Sequence, residues 1–331
     1  MNESTGYWKG VWIEFKKDRL SVIALCVIIT LFIVALFDDL IAGSKPIIIK
    51  YDGSLYSPAV FNHKDLIGVD LSDSDLVKDK ASFVIYPPVK YSPTENDLLS
   101  VLSPPDSNHY FGTDDRGRDV LSRMIHGAKI SLSIGFVAVG IAFIIGIIMG
   151  GIAGYYGGKT DFIISRLFEI MITFPVFFLI LTILAFRDPS IYNIMIVIGA
   201  TGWTGIARLI RGDFLKIRNY DYITAQKALG SGDIRIMFMH ILPNALAPVL
   251  VAATFGIAGA ILTESALSFL GFGVPPPTPS WGDVLSQSKK YVDFAWWLVI
   301  FPGLAIFLTV TSFNLVGEGF RNALDPKLRG R

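Results

Sequence analysis

The sequence predicts an all-α polytopic membrane protein with six transmembrane helices and an outer insert of short strands and loops. Of its 331 residues, 52% are hydrophobic and only 17% are charged, whereas a soluble domain carries about 25% charged residues. The charged residues cluster between long apolar runs, which is typical of a chain that crosses a membrane several times. The net charge of +1 and the lack of a strongly basic segment argue against nucleic acid as a partner.

Residues 1–19 predict an amphipathic helix that lies on the membrane surface. Four large apolar side chains recur at helical spacing, with lysine and arginine around them: Trp8, Val11, Trp12 and Phe15. The apolar run of residues 20–41 is too long for the core of a signal peptide. We therefore expect an uncleaved first transmembrane helix with its N-terminus in the cytoplasm. The single cysteine, Cys26, lies in this run and is expected to pack as a small apolar side chain.

Residues 42–128 differ in composition from the rest of the chain. They are rich in Asp, Ser, Pro and Lys, and prolines at five positions between 87 and 105 interrupt any long helix. We predict an extracytoplasmic insert that either contacts a binding protein or its peptide, or packs passively on a partner subunit. One cluster near its end predicts either a site for a metal or a peptide terminus, or an internal network of ion pairs and turns: Asp114, Asp115, Arg116, Arg118 and Asp119.

A five-helix core is predicted over residues 129–320, followed by a cytoplasmic tail at 321–331. Its apolar runs are each long enough to cross a hydrocarbon layer about 30 Å thick, at 130–154, 162–186, 191–210, 244–270 and 295–317. Lysine and arginine concentrate in one set of the short loops, above all in the loop of residues 212–243. By the positive-inside rule, these loops and both termini are cytoplasmic and the insert is outside.

Two of the predicted spans carry small residues at every fourth position, which lets another helix backbone approach closely. They are Gly146, Gly150 and Gly154 in one span, and Ala252, Gly256 and Ala260 in another. The second series continues to Glu264, where an ionisable side chain is expected to point into the helix bundle. Glu264 is either a residue of a transport pathway or a structural carboxylate bonded to a neighbouring helix. Glu169 has the same two interpretations, with Arg166 one turn earlier as its ion-pair partner.

The loop of residues 212–243 predicts a helix, a tight turn and a second short helix. Tyr222, Ala225 and Leu229 fall on one face of the first helix. Gly230 follows them, and glycine ends a helix at low cost because it adopts the left-handed conformation readily.

The second short helix of this loop is expected to be capped by Ser231 or Asp233. We call residues 222–236 the knuckle. Its small side chains, including Ala225 and Ala228, are expected to let it dock closely on another protein.

The knuckle resembles the EAA loop in permeases of binding-protein-dependent ABC importers, where Glu-Ala-Ala precedes a glycine and a helix that ends in Leu-Pro. The matching positions are Ala225, Gly230, Asp233, Ile241, Leu242, Pro243 and Asn244. Thr224 replaces the usual glutamate and Gln226 replaces the second alanine. The resemblance therefore implies the docking role and no specific salt bridge.

Further segments resemble the second, C-type permease of dipeptide and oligopeptide importers. They are 111–123, 154–159, 264–273, 280–282 and Asp325-Pro326, and the resemblance covers residues 110–330 and the first span. In the insert, Lys45-Pro46 and residues 51–54 resemble the extended subgroup that takes up microcin C and murein-type peptides.

The resemblance implies a type I importer permease that forms half of a peptide pathway in the bacterial inner membrane. Its implied partners are a B-type permease, two cytoplasmic ATPase subunits and an extracytoplasmic peptide-binding protein. ATP and Mg²⁺ would bind the ATPase subunits, and this chain is expected to bind no cofactor or metal and to hydrolyse no ATP. The run from Gly157 to Thr160 is not a complete phosphate-binding loop, because Ala153 stands where the earlier glycine is needed.

A secondary transporter of small solutes is the main alternative function. Such folds have internal repeats and broken helices around a central site, and this sequence has no corresponding halves. An intramembrane hydrolase is a second alternative. It is disfavoured because no G-x-S-x-G motif is present and His126 and His240 are predicted at opposite membrane faces.

Overall fold

A computed structural model describes residues 7–61, 63–66, 71 and 81–324 of the chain. It divides into two compact units, each described below by itself. The first comprises Met1–Ile28, Ser133–Glu264 and Leu308–Arg331 in their described parts, and the second comprises Ile29–Leu132 and Ser265–Phe307. Most of the predicted tail at 321–331 lies outside the described residues, which end at Leu324.

Long helices dominate the described residues. In chain order the helices are α1 (Tyr7–Phe15), α2 (Arg19–Leu36), α3 (Asp38–Ile41), α4 (Val120–Tyr156), α5 (Gly158–Thr173), α6 (Val176–Ala185), α7 (Ile191–Ile217), α8 (Asp221–Ala228), α9 (Asp233–Arg235), α10 (Leu242–Phe269), α11 (Trp281–Gln287) and α12 (Trp297–Leu324). Among the described residues, five helices are long and apolar enough to cross a membrane, or six if one bent pair counts as a single span. This agrees with the six predicted spans.

The third predicted span, 162–186, is not one continuous helix. It consists of α5 and α6, which meet at an angle of 82°. The break falls at Pro175, and Phe174 before it has an extended backbone with ψ of 131°. A proline ring disfavours helical geometry in the preceding residue and cannot donate the backbone hydrogen bond of a continuous helix.

Other predicted bounds also differ from the helices. The first predicted span, 20–41, ends at Leu36, and α3 follows as a separate turn of helix. Conversely, α4 begins ten residues before the predicted start at 130. Apolar composition marks the part of a helix that lipid or protein covers, whereas backbone hydrogen bonding continues into polar sequence.

Two of the four apolar side chains of the N-terminal stripe are buried and two are exposed. In the first unit, Phe15 and Val11 are almost fully buried, and the Phe15 ring stacks on Phe320 with centroids 4.6 Å apart. Trp8 and Trp12 remain exposed. The predicted helix is present, but of the stripe only Trp8 and Trp12 are exposed.

A glycine seam joins α4 to α7 in the first unit. A Cβ at Gly146 would lie 2.7 Å from the Ile206 side chain, and one at Gly150 would overlap the carbonyl oxygen of Ala207. A Cβ at Gly154 would lie 2.8 Å from the carbonyl oxygen of Arg211. The seam therefore lets the two helix backbones touch, as the spacing predicts.

The second unit holds the predicted insert, and its strands form one antiparallel sheet. The strands are β1 (Ile48–Tyr51), β2 (Ser54–Tyr56) and β3 (Ala81–Ile85), in the order β2-β1-β3. Ile49 pairs with Tyr56 on one side and Val84 on the other, and its side chain is fully buried. The sheet thus has its own small apolar core.

The charged cluster at the end of the insert is an internal network of ion pairs. Arg118 Nε lies 2.7 Å from Asp114 Oδ2, and both side chains are buried. His109 Nδ1 lies 2.8 Å from Asp119 Oδ2, also in a buried position. Of the two predicted interpretations of this cluster, the ion-pair network matches the geometry.

Candidate functional site

The first helix of the knuckle ends in a glycine turn. Gly230 has a positive φ of 78°, its N–H donates to Lys227 O, and the N–H of Ser231 donates to Gln226 O. This pair of bonds is a Schellman motif, in which glycine occupies the left-handed position. The predicted helix stop at Gly230 is therefore present.

One buried side chain anchors the first knuckle helix. Ile223 is fully buried in an apolar cluster that includes Ile217, Ile236 and Met237. Our sequence analysis missed this anchor, although Ile223 is the one large aliphatic residue in α8.

The opposite side of the knuckle is exposed and partly apolar. The exposed residues include all five predicted docking residues of the first helix and turn: Tyr222, Ala225, Ala228, Leu229 and Gly230. Leu229 is 79% exposed, and Ile234, just after the turn, is 73% exposed. Because these large aliphatic side chains are exposed beside a hydrogen-bonded turn, the surface is suited to contact another protein.

The second half of the knuckle differs from the prediction. Gly232 occupies the N-cap position of α9, so neither Ser231 nor Asp233 caps it. Ser231 Oγ instead donates to Gln226 Oε1 at 2.9 Å, and Asp233 accepts a hydrogen bond from Tyr155. The predicted cap is therefore wrong, because other side chains bind both groups: Gln226, five residues before Ser231, and Tyr155 of α4.

The predicted second short helix is not separate from the next span. α9 runs into a π-helical segment, Ile236–Ile241, and then into α10. Pro243 lies at the second position of α10 and has no N–H to donate to the preceding turn. The knuckle is consequently a direct extension of the span that carries Glu264.

Basic side chains attach the root of the knuckle to neighbouring helices. Arg218 donates to the carbonyl oxygens of Gly154 at 3.1 Å and Tyr155 at 3.0 Å, which the end of α4 leaves unpaired. Arg211 donates from Nη2 to Asp161 Oδ2 at 2.7 Å. A Cβ at Gly157 would lie 2.5 Å from Arg218, so this glycine makes room for a guanidinium group.

The second series of small residues lines a cavity of about 370 Å³ in the first unit. Ala252, Gly256 and Ala260 form part of its wall, and the other lining residues are almost all apolar. A Cβ at Gly256 would still lie 3.3 Å from Val139, so one position of the series packs tightly. The prediction of close helix packing thus holds at Gly256, and the series also borders open space.

The two intramembrane carboxylates have different environments. Glu264 is fully buried. Glu169 is exposed and forms an ion pair with Arg166 one turn earlier, as predicted. The roles of both residues in transport remain predictions.

A cluster of metal-ligand side chains lies in the second unit at Asp38, Asp39 and His126, although the sequence predicts no metal site. The ammonium group of Lys129 lies 3.0 Å from Asp38 Oδ2 and neutralises that carboxylate. His126 Nδ1 faces the carbonyl oxygen of Ser122 at 2.9 Å, so Nδ1 carries a proton. These contacts account for the Asp38 carboxylate and for one ring nitrogen of His126.

Comparison with known families identifies the chain. The model of the binding-protein-dependent transport system inner membrane component matches residues 142–330, which include the knuckle. The chain belongs to this family. A second model, the N-terminal TM domain of oligopeptide transport permease C, matches residues 6–58 of this inner membrane component.

Curated peptide permeases are similar to this inner membrane component over most of their length. The dipeptide transport system permease protein DppC of Alkalihalophilus pseudofirmus is 37% identical over 322 residues, which cover 97% of this chain and 90% of the relative. The oligopeptide transport system permease protein OppC of Bacillus subtilis is 33% identical over 327 residues, which cover 99% and 92%. These relatives favour an importer permease over the alternative of a secondary transporter.

A solved structure shares the fold of this inner membrane component. A chain of the MetNI methionine ABC transporter, determined in inward facing conformations, aligns with a TM-score of 0.50 at 20% identity. The alignment covers 62% of this chain and 97% of that chain. At this identity the likeness establishes the fold alone.

Proposed function

We propose that the chain is one of two transmembrane subunits of an ATP-driven importer of short peptides, and that its knuckle docks on an ATPase subunit. The knuckle carries this proposal. It is exposed, its first helix ends at Gly230, and it lies within residues 142–330, which match the family. Full-length similarity to dipeptide and oligopeptide permeases supports peptides as the substrate class.

The complete importer contains a B-type permease as the second transmembrane subunit, two ATPase subunits and an extracytoplasmic peptide-binding protein. ATP and Mg²⁺ bind the ATPase subunits, and this chain contributes no catalytic group. Closure of the ATPase dimer carries the knuckle with it, and the helices change between inward-open and outward-open states.

Both termini and the knuckle lie in the cytoplasm of a bacterial cell, and the 42–128 insert lies outside the inner membrane. The positive charge at the knuckle root supports this orientation, since Arg211, Arg218 and Lys227 lie near one another there.

Site-directed crosslinking in intact membranes tests the docking. Cys26 is first replaced by serine, and a cysteine is then placed at Ala225 or Ser231. We expect a short bifunctional crosslinker to capture an ATPase subunit from either position. Failure at both positions would overturn the proposed docking.

A control cysteine at Tyr192 gives the matched comparison. Tyr192 is exposed near the start of α7, whereas the knuckle follows the end of the same helix. A helix of 27 residues is about 40 Å long. The control cysteine should therefore not capture an ATPase subunit in the same membranes.

A further inference from the structure

One tyrosine is in contact with both halves of the knuckle. The Tyr155 hydroxyl, in the last turn of α4, donates to Asp233 Oδ1 at 2.6 Å across 78 residues of sequence. The Lys227 ammonium lies 5.1 Å from the centre of the Tyr155 ring. Asp233 follows the Gly230 turn and Lys227 precedes it, so Tyr155 bridges the turn.

The backbone of the same tyrosine is also fixed. Its carbonyl oxygen accepts a hydrogen bond from Arg218, which precedes the knuckle in the chain. Tyr155 is only 6% exposed, and a hydrogen bond to a carboxylate is stronger than one between neutral groups. Three charged side chains thus converge on one buried residue at the end of α4.

The position of Tyr155 in α4 determines what a displacement of the knuckle would reach. Gly154, the preceding residue, packs against Arg211 of α7 in the glycine seam. A pull on Asp233 or Lys227 therefore acts on the end of the helix whose backbone is in contact with α7.

We infer that Tyr155 is a positioning residue that transmits displacement of the knuckle to the α4–α7 pair during transport. This inference rests on the proposed function, because it requires that an ATPase subunit moves the knuckle. Ile223 and Ile236 are buried in the same apolar cluster as the Tyr155 ring, and Tyr155→Phe keeps that ring. Loss of the hydroxyl should consequently weaken transmission while the knuckle stays folded and docked.

The test compares Tyr155→Phe with Tyr156→Phe in the complete importer reconstituted in proteoliposomes. Tyr156 is the matched control, because it is adjacent and 53% exposed, and its hydroxyl makes no hydrogen bond within the described residues. The measured quantity is the number of peptides taken up per ATP hydrolysed, in the presence of the loaded binding protein.

We expect Tyr155→Phe to lower this ratio about tenfold, the factor that corresponds to roughly 1.4 kcal/mol for one hydrogen bond. ATPase subunits should co-purify and basal ATP hydrolysis should persist, and Tyr156→Phe should behave as wild type. A wild-type ratio in Tyr155→Phe would overturn the inference.

A double-variant cycle separates transmission from a purely structural role. Asp233→Ala alone should lower the ratio as Tyr155→Phe does, and the two together should lower it no further. If the importer with Tyr155→Phe does not assemble, the Asp233→Ala variant is tested by itself. An unchanged number of peptides per ATP in that variant would overturn the inference. Failure of the proposed function has a different result, since the wild-type importer itself would then show no ATP-dependent peptide uptake.

Discussion

Arg123 and Asp283 form an ion pair across 160 residues of sequence, with Nη2 and Oδ2 2.5 Å apart and with the arginine side chain buried. Arg123 also donates to the carbonyl oxygen of Pro93 and lies 3.5 Å from Asp114 Oδ2. Its side chain is 1% exposed. A cation so deeply buried depends on its partners, because removal from water is costly for an unpaired charge.

We expect Asp283→Ala to destabilise the protein strongly. It leaves Arg123 without its nearest carboxylate, and loss of one partner of a buried pair costs about 3–5 kcal/mol. Thermal unfolding of the purified protein in detergent measures the effect. Asp293→Ala is the control, since Asp293 is exposed in the loop that follows α11, and it should leave the melting temperature unchanged. Equal melting temperatures for the two variants would contradict the prediction.

The glycine seam gives a second prediction. Gly150→Leu should destabilise the α4–α7 contact, because even its Cβ overlaps the Ala207 carbonyl oxygen, and overpacking costs about 1–3 kcal/mol or more. Gly140→Leu is the control, because a Cβ at Gly140 has no atom within 4 Å and the residue is exposed on the same helix. The fraction of monodisperse protein after heating, measured by size-exclusion chromatography, should fall only for Gly150→Leu.

A third prediction concerns the turn of the knuckle. Gly230 has open space around its Cα, so a substitution there meets backbone strain without a steric clash. Gly230→Val should reduce peptide uptake by the reconstituted importer, since a β-branched residue pays about 1–2 kcal/mol in the left-handed conformation.

Two further variants separate strain from bulk at this turn. Gly230→Asn should retain more uptake than Gly230→Val, because asparagine tolerates a positive φ. Gly232→Val should also be milder, because Gly232 has a φ of −67° and equal space around it. Equal losses in all three variants would show that exposed bulk, and not backbone strain, determines the phenotype. Gly230→Trp combines both effects and should abolish uptake while the spans still insert.

A fourth prediction is a pH dependence in the insert. The Ser100 hydroxyl donates to Asp97 Oδ2 and the Leu99 N–H to Oδ1, and these bonds lower the pKa of the Asp97 carboxyl. A carboxyl whose pKa is lower in the folded state stabilises the turn above its unfolded pKa of about 3.9. That contribution is lost as the pH falls through the lower, folded-state pKa.

Amide hydrogen exchange of the 97–100 turn measures this effect. After correction for the intrinsic exchange rate, protection should fall below about pH 4 in the wild type. Asp97→Asn should have lower protection at neutral pH and no such acid transition. Glu95→Gln removes a charge two residues away and should keep the wild-type profile. A persistent acid transition in Asp97→Asn would assign it to another group.

Apolar runs in the sequence predicted the spans, because each run must cover the thickness of a membrane. They did not predict the break at Pro175. Pro248 and Pro302 lie inside α10 and α12 without ending them, so a proline alone does not decide between a continuous and a broken helix. The outcome depends on whether neighbouring groups compensate for the lost hydrogen bond, which the local sequence does not reveal.

In the knuckle, the sequence predicted the features that depend on neighbouring residues and missed the contacts between distant segments. The Gly230 turn follows from the conformational freedom of one residue, so the sequence indicates it directly. The Tyr155–Asp233 contact depends on how two distant segments fold together. From the sequence, Asp233 was therefore predicted to cap a helix, because its neighbours in the sequence suggest only that role.

The π-helical segment Ile236–Ile241 joins the knuckle to α10. A π turn contains one residue more than the α turn it replaces, and one residue corresponds to about 100° of rotation around a helix axis. Deletion of a single residue here would restore an ordinary α turn and leave Leu229 and Ile234 on the same side of the helix, whereas deletion of a residue from the α-helical part of α10 would rotate them by about 100° relative to the rest of that helix. The π-helical segment thus accommodates one extra residue between the knuckle and α10 without changing the direction in which the knuckle faces.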